Sequence, residues 1–299
     1  MNKAEHFKSG FVAVVGRPNV GKSTMINALI GDKIAIVSDK AQTTRNRIIC
    51  VYTDEEKQIV FMDTPGVHKP KHKLGEFMVD AAIESLKETE AVLFVVAGNE
   101  KRGPGDNFII EQLKRVKVPV FLVVNKIDTL QKEQVLEAIV SYQDAYPFAG
   151  VIPISAKNKE NLSELLNVLG EHLPEGLQYF PEDMITDQPE RLIISDIVRE
   201  KILLSTRDEI PHAIAVDVDE MKTRDDGTTY IRATIYCERD SQKGIIIGNK
   251  GALLRKIGAE ARMDIQKLLA TKVYLDLWVK VKKDWRNKSG MLSELGYKK

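Results

Sequence analysis

Short, nearly unbroken apolar runs recur through the first 173 residues of the chain: Phe11-Val12-Ala13-Val14-Val15, Ile59-Val60-Phe61-Met62, Ala91 to Val96, Val120 to Val124 and Val151 to Ile154. Runs this short, rich in β-branched residues, predict strands buried on both faces of a parallel sheet. Helical patterns lie between them: Ser23 to Ile30 with Gly31 as a stop, Leu74 to Lys87, and Asp106 to Val116. Alternating β and α elements predict an α/β, doubly wound sheet over residues 1–173.

The pattern then changes. Residues 174–189 are polar and hold three prolines, which predicts a linker. Residues 190–299 begin with a helix, Glu190 to about Ser205. Two alternating strands follow, Ala213 to Val218 and Tyr230 to Tyr236, with turn chemistry at Asp225-Asp226-Gly227 between them. Helical segments run to about Ala270 and a third strand covers Val273 to Val279, which predicts a smaller α+β domain.

Composition adds little until it is divided. The 299-residue chain is 43% apolar and 29% charged, with a net charge of +1. Residues 241–299 carry 14 Lys/Arg and 5 Asp/Glu, a balance of +9, and the remainder carries −8. A basic end on an acidic body points to a polyanion partner there. No window holds the roughly 18 apolar residues of a membrane span. Met1 to His6 lacks the apolar core of a secretory signal. Cys50 and Cys237, the only cysteines, have no metal-site spacing and fit a reducing compartment, so a cytoplasmic protein is expected.

Gly16-Arg17-Pro18-Asn19-Val20-Gly21-Lys22-Ser23 fits G-x-x-x-x-G-K-[ST] between a strand and a helix, with Thr24 next in that helix. Such a loop aims backbone N–H groups and a helix N-terminus at a polyphosphate. Three further motifs follow at strand ends. Asp63-Thr64-Pro65-Gly66 offers a carboxylate for Mg²⁺ and a glycine N–H for a γ-phosphate. Asn125-Lys126-Ile127-Asp128 offers a carboxylate for guanine N1–H and N2–H₂, donors that adenine lacks in that geometry. Ser155-Ala156-Lys157 offers a backbone N–H for guanine O6. The strand-end rule places all four on one rim of the sheet.

In this order the motifs resemble the small GTPases of the translation-factor type. The resemblance implies GTP/GDP and Mg²⁺ as ligands. Lys22 would neutralise the β- and γ-phosphates, with Ser23, Asp63 and Thr44 of Gln42-Thr43-Thr44-Arg45 around the metal. Thr43 stays open as the alternative to Thr44. Lys22, Thr44, Gly66 and Asn19 are the candidate catalytic residues. Val67 stands where Ras-like proteins have a water-orienting glutamine, so unassisted turnover on the order of 10⁻⁴–10⁻² s⁻¹ is expected. Asn19 looks like the asparagine with which related GTPases hold K⁺ against the phosphates.

Ile247-Gly248-Asn249-Lys250-Gly251 contains G-x-x-G inside the basic region. Such a loop clamps about four single-stranded nucleotides in KH domains, and Arg255 and Lys256 are candidates for phosphate contact. The element order resembles a type II KH domain. A GTPase followed by one such domain resembles the Era family of bacterial ribosome-assembly GTPases over Phe11 to Trp285. That resemblance implies binding to the 3′ end of 16S ribosomal RNA and action on the 30S subunit. It also implies a cytoplasmic protein, here expected as a monomer, partly associated with the inner-membrane periphery. Separately, the basic Lys280 to Arg286 stretch is a candidate to meet RNA or an anionic membrane surface. Two rival readings are a signalling GTPase whose C-terminal half docks a protein or membrane, and an RNA chaperone without turnover.

Overall fold

The computed structural model describes residues 6–38, 40, 43–67, 70, 72–207 and 210–297. The chain divides into two compact units. The first holds Met1–Ala35, Thr44–Lys71 and Gly75–Asp187; the second holds Ile36–Thr43, His72–Leu74 and Gln188–Lys299. Gln42, and His68, Lys69 and Lys71 beyond Gly66, lie outside the described residues.

The first unit runs β1 (Lys8–Val15), α1 (Lys22–Ile30), β2 (Ile48–Thr53), β3 (Lys57–Asp63), α2 (Lys73–Glu84), β4 (Ala91–Ala97), α3 (Pro104–Leu113), β5 (Val120–Asn125), α4 (Lys132–Gln143), β6 (Gly150–Pro153) and α5 (Leu162–His172). The six strands pair in the order β2-β3-β1-β4-β5-β6. All pairs are parallel except β2–β3. The apolar runs are buried on both faces, as their lack of alternation requires. Val12, Val14, Leu93, Val95, Phe121 and Val123 point into one core cluster. Their neighbours Ala13, Val15, Val92, Phe94, Leu122 and Val124 point into the other.

Two expectations change. Ile48–Thr53 is an edge strand that the apolar pattern did not predict. The expected linker is not free, because residues up to Asp187 belong to the first unit. Ser9 N–H donates to Pro174 O at 3.1 Å, Gly176 N–H to Phe7 O at 2.8 Å, and Val51 N–H to Ile185 O at 2.9 Å. The Gln58 amide gives Nε2–H to Phe180 O at 2.8 Å and accepts from the Tyr179 and Phe180 N–H groups at 2.7 and 3.0 Å. The Tyr179 ring stands edge-on to Phe11 at 4.9 Å. Its side chains are mostly exposed, as polar composition requires, while a few of its backbone groups pair with the start of β1 and with the edge strand β2.

The second unit runs α6 (Glu190–Ser205), α7 (Ile210–Ala213), β7 (Ala215–Thr223), β8 (Thr229–Cys237), α8 (Asp240–Ile247), α9 (Ala252–Leu269), β9 (Val273–Val281) and α10 (Ser289–Glu294). Its sheet has the order β7-β8-β9, with β7–β8 antiparallel and β8–β9 parallel. Ile231, Ala233 and Ile235 of β8 meet Ile257, Ala261 and Ile265 of α9 and Ile194, Val198 and Ile202 of α6 in one core. The i, i+4, i+8 spacing on α9 puts its three residues on one stripe.

Candidate functional site

In the first unit the strand ends hold four loops together. Lys22 is buried and its Nζ donates to Gly16 O at 3.1 Å and Arg17 O at 3.0 Å. Ser23 Oγ donates to Asp63 Oδ2 at 2.7 Å and lies 3.0 Å from Thr44 Oγ1. Thr44 Oγ1 is itself 3.5 Å from the same carboxylate oxygen. Thr43 differs: its hydroxyl donates to Lys40 O at 2.6 Å within the second unit. Asp63 is fully buried, and its Oδ1 has no hydrogen-bond partner among the described residues. Burial pushes the Asp63 carboxyl up to about 6 against the opposing pull of Lys22, and burial lowers Lys22 to about 8 against the pull of Asp63.

An orphaned carboxylate oxygen beside two hydroxyls is a donor set of hard oxygens, which suits Mg²⁺. An isolated buried carboxylate is costly, and a divalent ion there offsets the cost.

The other motif residues have structural partners as well. Thr64 Oγ1 donates to Val14 O at 2.6 Å, tying the D-T-P-G segment to β1. A Cβ on Gly66 would lie 2.7 Å from both Pro18 N and Pro18 Cα, so only glycine allows this approach. Asn19 has φ 65 and Lys126 has φ 69, both left-handed. Asp128 Oδ1 accepts from Ser155 Oγ at 2.7 Å. Asn125 accepts the N–H groups of Lys126 and Ala156 on Oδ1 at 2.8 and 3.0 Å. Thr24 is half-buried in α1, Pro65 is buried, and Lys157 is exposed.

Sequence reasoning missed the partners of Arg17. Its Nε donates to Asp106 Oδ1 and its Nη2 to Glu100 Oε2, both at 2.9 Å. Glu100 Oε1 is 3.6 Å from Lys126 Nζ. An Asp at the start of a predicted helix was the available signal.

In the second unit Gly248 (φ 73), Lys250 (φ 47) and Gly251 (φ 78) form the loop between α8 and α9. Beside it α9 and β9 enclose a groove of about 470 Å³. It is lined by Leu254, Arg255, Gly258 and Arg262 from the helix and Leu275 and Leu277 from the strand. Small residues on one face of α9 open the groove, and two guanidiniums stand along it. Arg255 was anticipated on this surface. Lys256 is not among the lining residues; it is exposed, with Glu260 at 3.9 Å. Ile247 packs against the core rather than lining the groove, because α8 turns its apolar side inward. Asn249 lies in the loop as expected, and is exposed there.

The two tryptophans differ in burial. Trp278, whose alternating strand predicts a core position, is 54% exposed. Trp285 is fully buried and donates Nε1–H to Ala213 O at 2.9 Å. Arg286 pairs with Glu238 at 3.1 Å through Nε. The Lys280 to Arg286 segment therefore commits its aromatic and one cation to the fold. No helix among the described residues is long and apolar enough to cross a membrane.

Residues 11–126 match the family described as 50S ribosome-binding GTPase, and residues 209–286 match the KH domain family. The chain is 43% identical to an Era whose crystal structure holds MgGDPNP and nucleotides 1506–1542 of 16S ribosomal RNA, covering 98% of this chain and 99% of that one with a TM-score of 0.95.

The chain belongs to the Era family.

A second family structure, a variant of Era from Aquifex aeolicus bound to GDP and AlF₄⁻, is also 43% identical, over 97% of this chain and 99% of that one, with a TM-score of 0.94. The Era-family fold, a P-loop GTPase sheet followed by a smaller KH domain, is the one described above, and the chain is a GTP-hydrolysing enzyme.

Proposed function

We propose that this GTPase is a Mg²⁺-dependent switch that binds the 3′ end of 16S ribosomal RNA through its KH groove and acts in assembly of the small ribosomal subunit. The observation that carries the reading is the groove itself: two arginines, a glycine-rich loop and an apolar strand edge, on a chain 43% identical over 98% of its length to an Era crystallised with that RNA. The family description of residues 11–126 names the large subunit, but it stops short of the RNA-binding half.

At the nucleotide site Lys22 would turn from the Gly16 and Arg17 carbonyls to the β- and γ-phosphates, because an ionised polyphosphate attracts an ammonium more strongly than two peptide oxygens do. Ser23, Thr44 and Asp63 would hold Mg²⁺, which neutralises developing phosphate charge when bound. Gly66 N–H would donate to a γ-phosphate, and Asp128 with the Ser155-Ala156-Lys157 loop would read guanine. The domain boundary falls at Gln188, and the protein works in the cytoplasm as a monomer. By linkage, RNA that binds one nucleotide state more tightly raises the affinity for that nucleotide by the same factor.

The test joins GTP turnover with RNA binding. Wild type should bind a single-stranded oligonucleotide of the 16S 3′ terminus in a salt-sensitive way, and should sediment with 30S rather than 50S particles. Lys250→Asp should lose both and keep GDP affinity. Sedimentation with 50S particles, or RNA binding unchanged in the variant, would overturn the reading and favour a protein- or membrane-docking C-terminal half.

A further inference from the structure

The sheet of the second unit has a second face that the groove does not use. On β8, Ile231, Ala233 and Ile235 point into the core, so Tyr230 and Arg232 point to the other side. On β9, Leu275 and Leu277 line the groove, while Tyr274 and Trp278 stand on the opposite face, 53% and 54% exposed. Tyr230 pairs in register with Tyr274, and their rings stack at 5.9 Å. Arg224 lies 4.9 Å from the centroids of both, and Lys222 and Arg232 approach Tyr230 at 5.4 and 5.7 Å.

The polar edges of Trp278 and Tyr230 are already satisfied. Trp278 Nε1–H and Tyr230 O–H both donate to Asp276 Oδ2, at 3.0 and 3.2 Å, and Arg232 Nε–H donates to Tyr230 Oη at 3.1 Å. One carboxylate thus fixes the orientation of the indole and a phenol. What remains to offer a partner is ring area, chiefly that of Tyr274 and Trp278. Exposed aromatics held rigid on an open sheet, with guanidiniums beside them, are the components of a base-stacking surface.

We propose that this outer face is a stacking platform for nucleobases of single-stranded RNA that continues past the groove. The inference rests on the RNA reading of the groove. Continuity selects the occupant. A KH clamp holds about four nucleotides, so a longer strand must leave it. β9 is the edge strand of the sheet, and its successive residues alternate between groove and platform. A strand crossing that edge meets Tyr274 or Trp278 next. Lys222, Arg224 and Arg232 share this face with Glu220 and Asp276, which pair with Lys222 and Arg232, and with Asp219, which accepts from Thr234 Oγ1 at 2.6 Å, so continuity with the groove and the exposed rings, rather than net charge, select the occupant.

The chain has only two tryptophans, and Trp285 is buried, so quenching of exposed indole fluorescence reports Trp278. Two single-stranded oligonucleotides from the 16S 3′ terminus serve as probes for the full-length protein: a six-mer, and a twelve-mer containing it. The twelve-mer should bind and quench, and the six-mer should bind with little quenching. Tyr274→Ala with Trp278→Ala should weaken the twelve-mer about five- to a hundredfold and leave six-mer affinity unchanged. Gly258→Leu, which fills the groove, should weaken both.

A twelve-mer that binds without quenching, or with equal affinity in the double variant, overturns the platform and leaves the groove reading intact. If neither oligonucleotide binds wild type, the groove reading fails and the platform falls with it. Unchanged twelve-mer affinity with lost sedimentation on 30S particles would overturn the RNA platform in favour of a ribosomal-protein contact.

Discussion

The side chain of Asn125 donates a hydrogen bond from Nδ2 to the backbone carbonyl of Val20, at 2.9 Å. Its Oδ1 accepts the N–H groups of Lys126 and Ala156. One buried carboxamide therefore fastens the phosphate loop, the N-K-x-D loop and the S-A-K loop to each other. The packing leaves no slack: a Cβ on Gly21 would come within 2.2 Å of Asn125 Nδ2. Asn125→Ala leaves these buried groups without partners, at a cost of about 1–3 kcal/mol. Affinity for a fluorescent GDP analogue should fall about five- to a hundredfold, chiefly through faster dissociation. A change below twofold would mean that the loops are held by something else.

Asp128 governs the choice of base. With one oxygen accepting from Ser155 Oγ, its carboxylate is oriented as an acceptor. Asp128→Asn replaces an acceptor oxygen by an NH₂ donor, which matches the C2 carbonyl of xanthine and opposes the N2 amine of guanine. The variant should prefer XTP over GTP in competition assays by at least about tenfold, since unmatched polar groups in such a site discriminate strongly. Retained preference for GTP would remove Asp128 from base recognition.

The buried pair Asp63 and Lys22 makes both stability and binding depend on pH. Asp63 rises from an ordinary 3.8 to about 6. Between those values the folded carboxyl keeps a proton that the unfolded chain has released, so stability falls as pH rises through this window. Lys22 drops from 10.5 to about 8. Between about 8 and 10.5 the unfolded ammonium keeps the extra proton, so stability rises with pH there. A polyphosphate beside Lys22 favours the ammonium and raises its pKa. Binding of GDP at pH 8.5 should then take up most of a proton, and at pH 7 almost none. Calorimetry in buffers of different ionisation enthalpy measures this directly, and zero uptake at pH 8.5 would show Lys22 already charged in the free protein.

Much of the fold and of the nucleotide site is legible in the sequence. The runs at Val12 to Val15 and Val120 to Val124 lack alternation, and a strand without alternation has to be covered on both faces. The spacing of Gly16, Gly21 and Lys22 is set by the phosphate it cradles, so chemistry wrote it into the chain. Other features are not legible because they arise from pairing at a distance. Ile48–Thr53 is a strand because it completes an edge beside β3, and the Pro174–Asp187 segment is tied by backbone bonds to β1 and β2, partners far away in the chain. Trp278 alternates like a core residue, and only the sheet order shows that its face is open. Arg262 joins Arg255 in the groove through helical phase and the absence of a side chain at Gly258 between them.

Val67 shapes the last prediction. It is buried, and its N–H donates to Gly16 O at 3.2 Å, so the residue after Gly66 ties the D-T-P-G segment to the phosphate loop. An aliphatic side chain cannot orient water, so transition-state charge has to be met by another group. Asn19 sits in the phosphate loop with φ 65, a conformation that favours Asn or Gly. If its carboxamide helps to hold a monovalent cation against the phosphates, K⁺ should speed GTP hydrolysis several-fold over Na⁺ at equal ionic strength. Asn19→Gly keeps the backbone conformation and removes only the side chain, so it should abolish the K⁺ effect without unfolding the loop. Equal rates in K⁺ and Na⁺ for wild type would place the missing charge on a partner, and the search would move to the RNA-bound state.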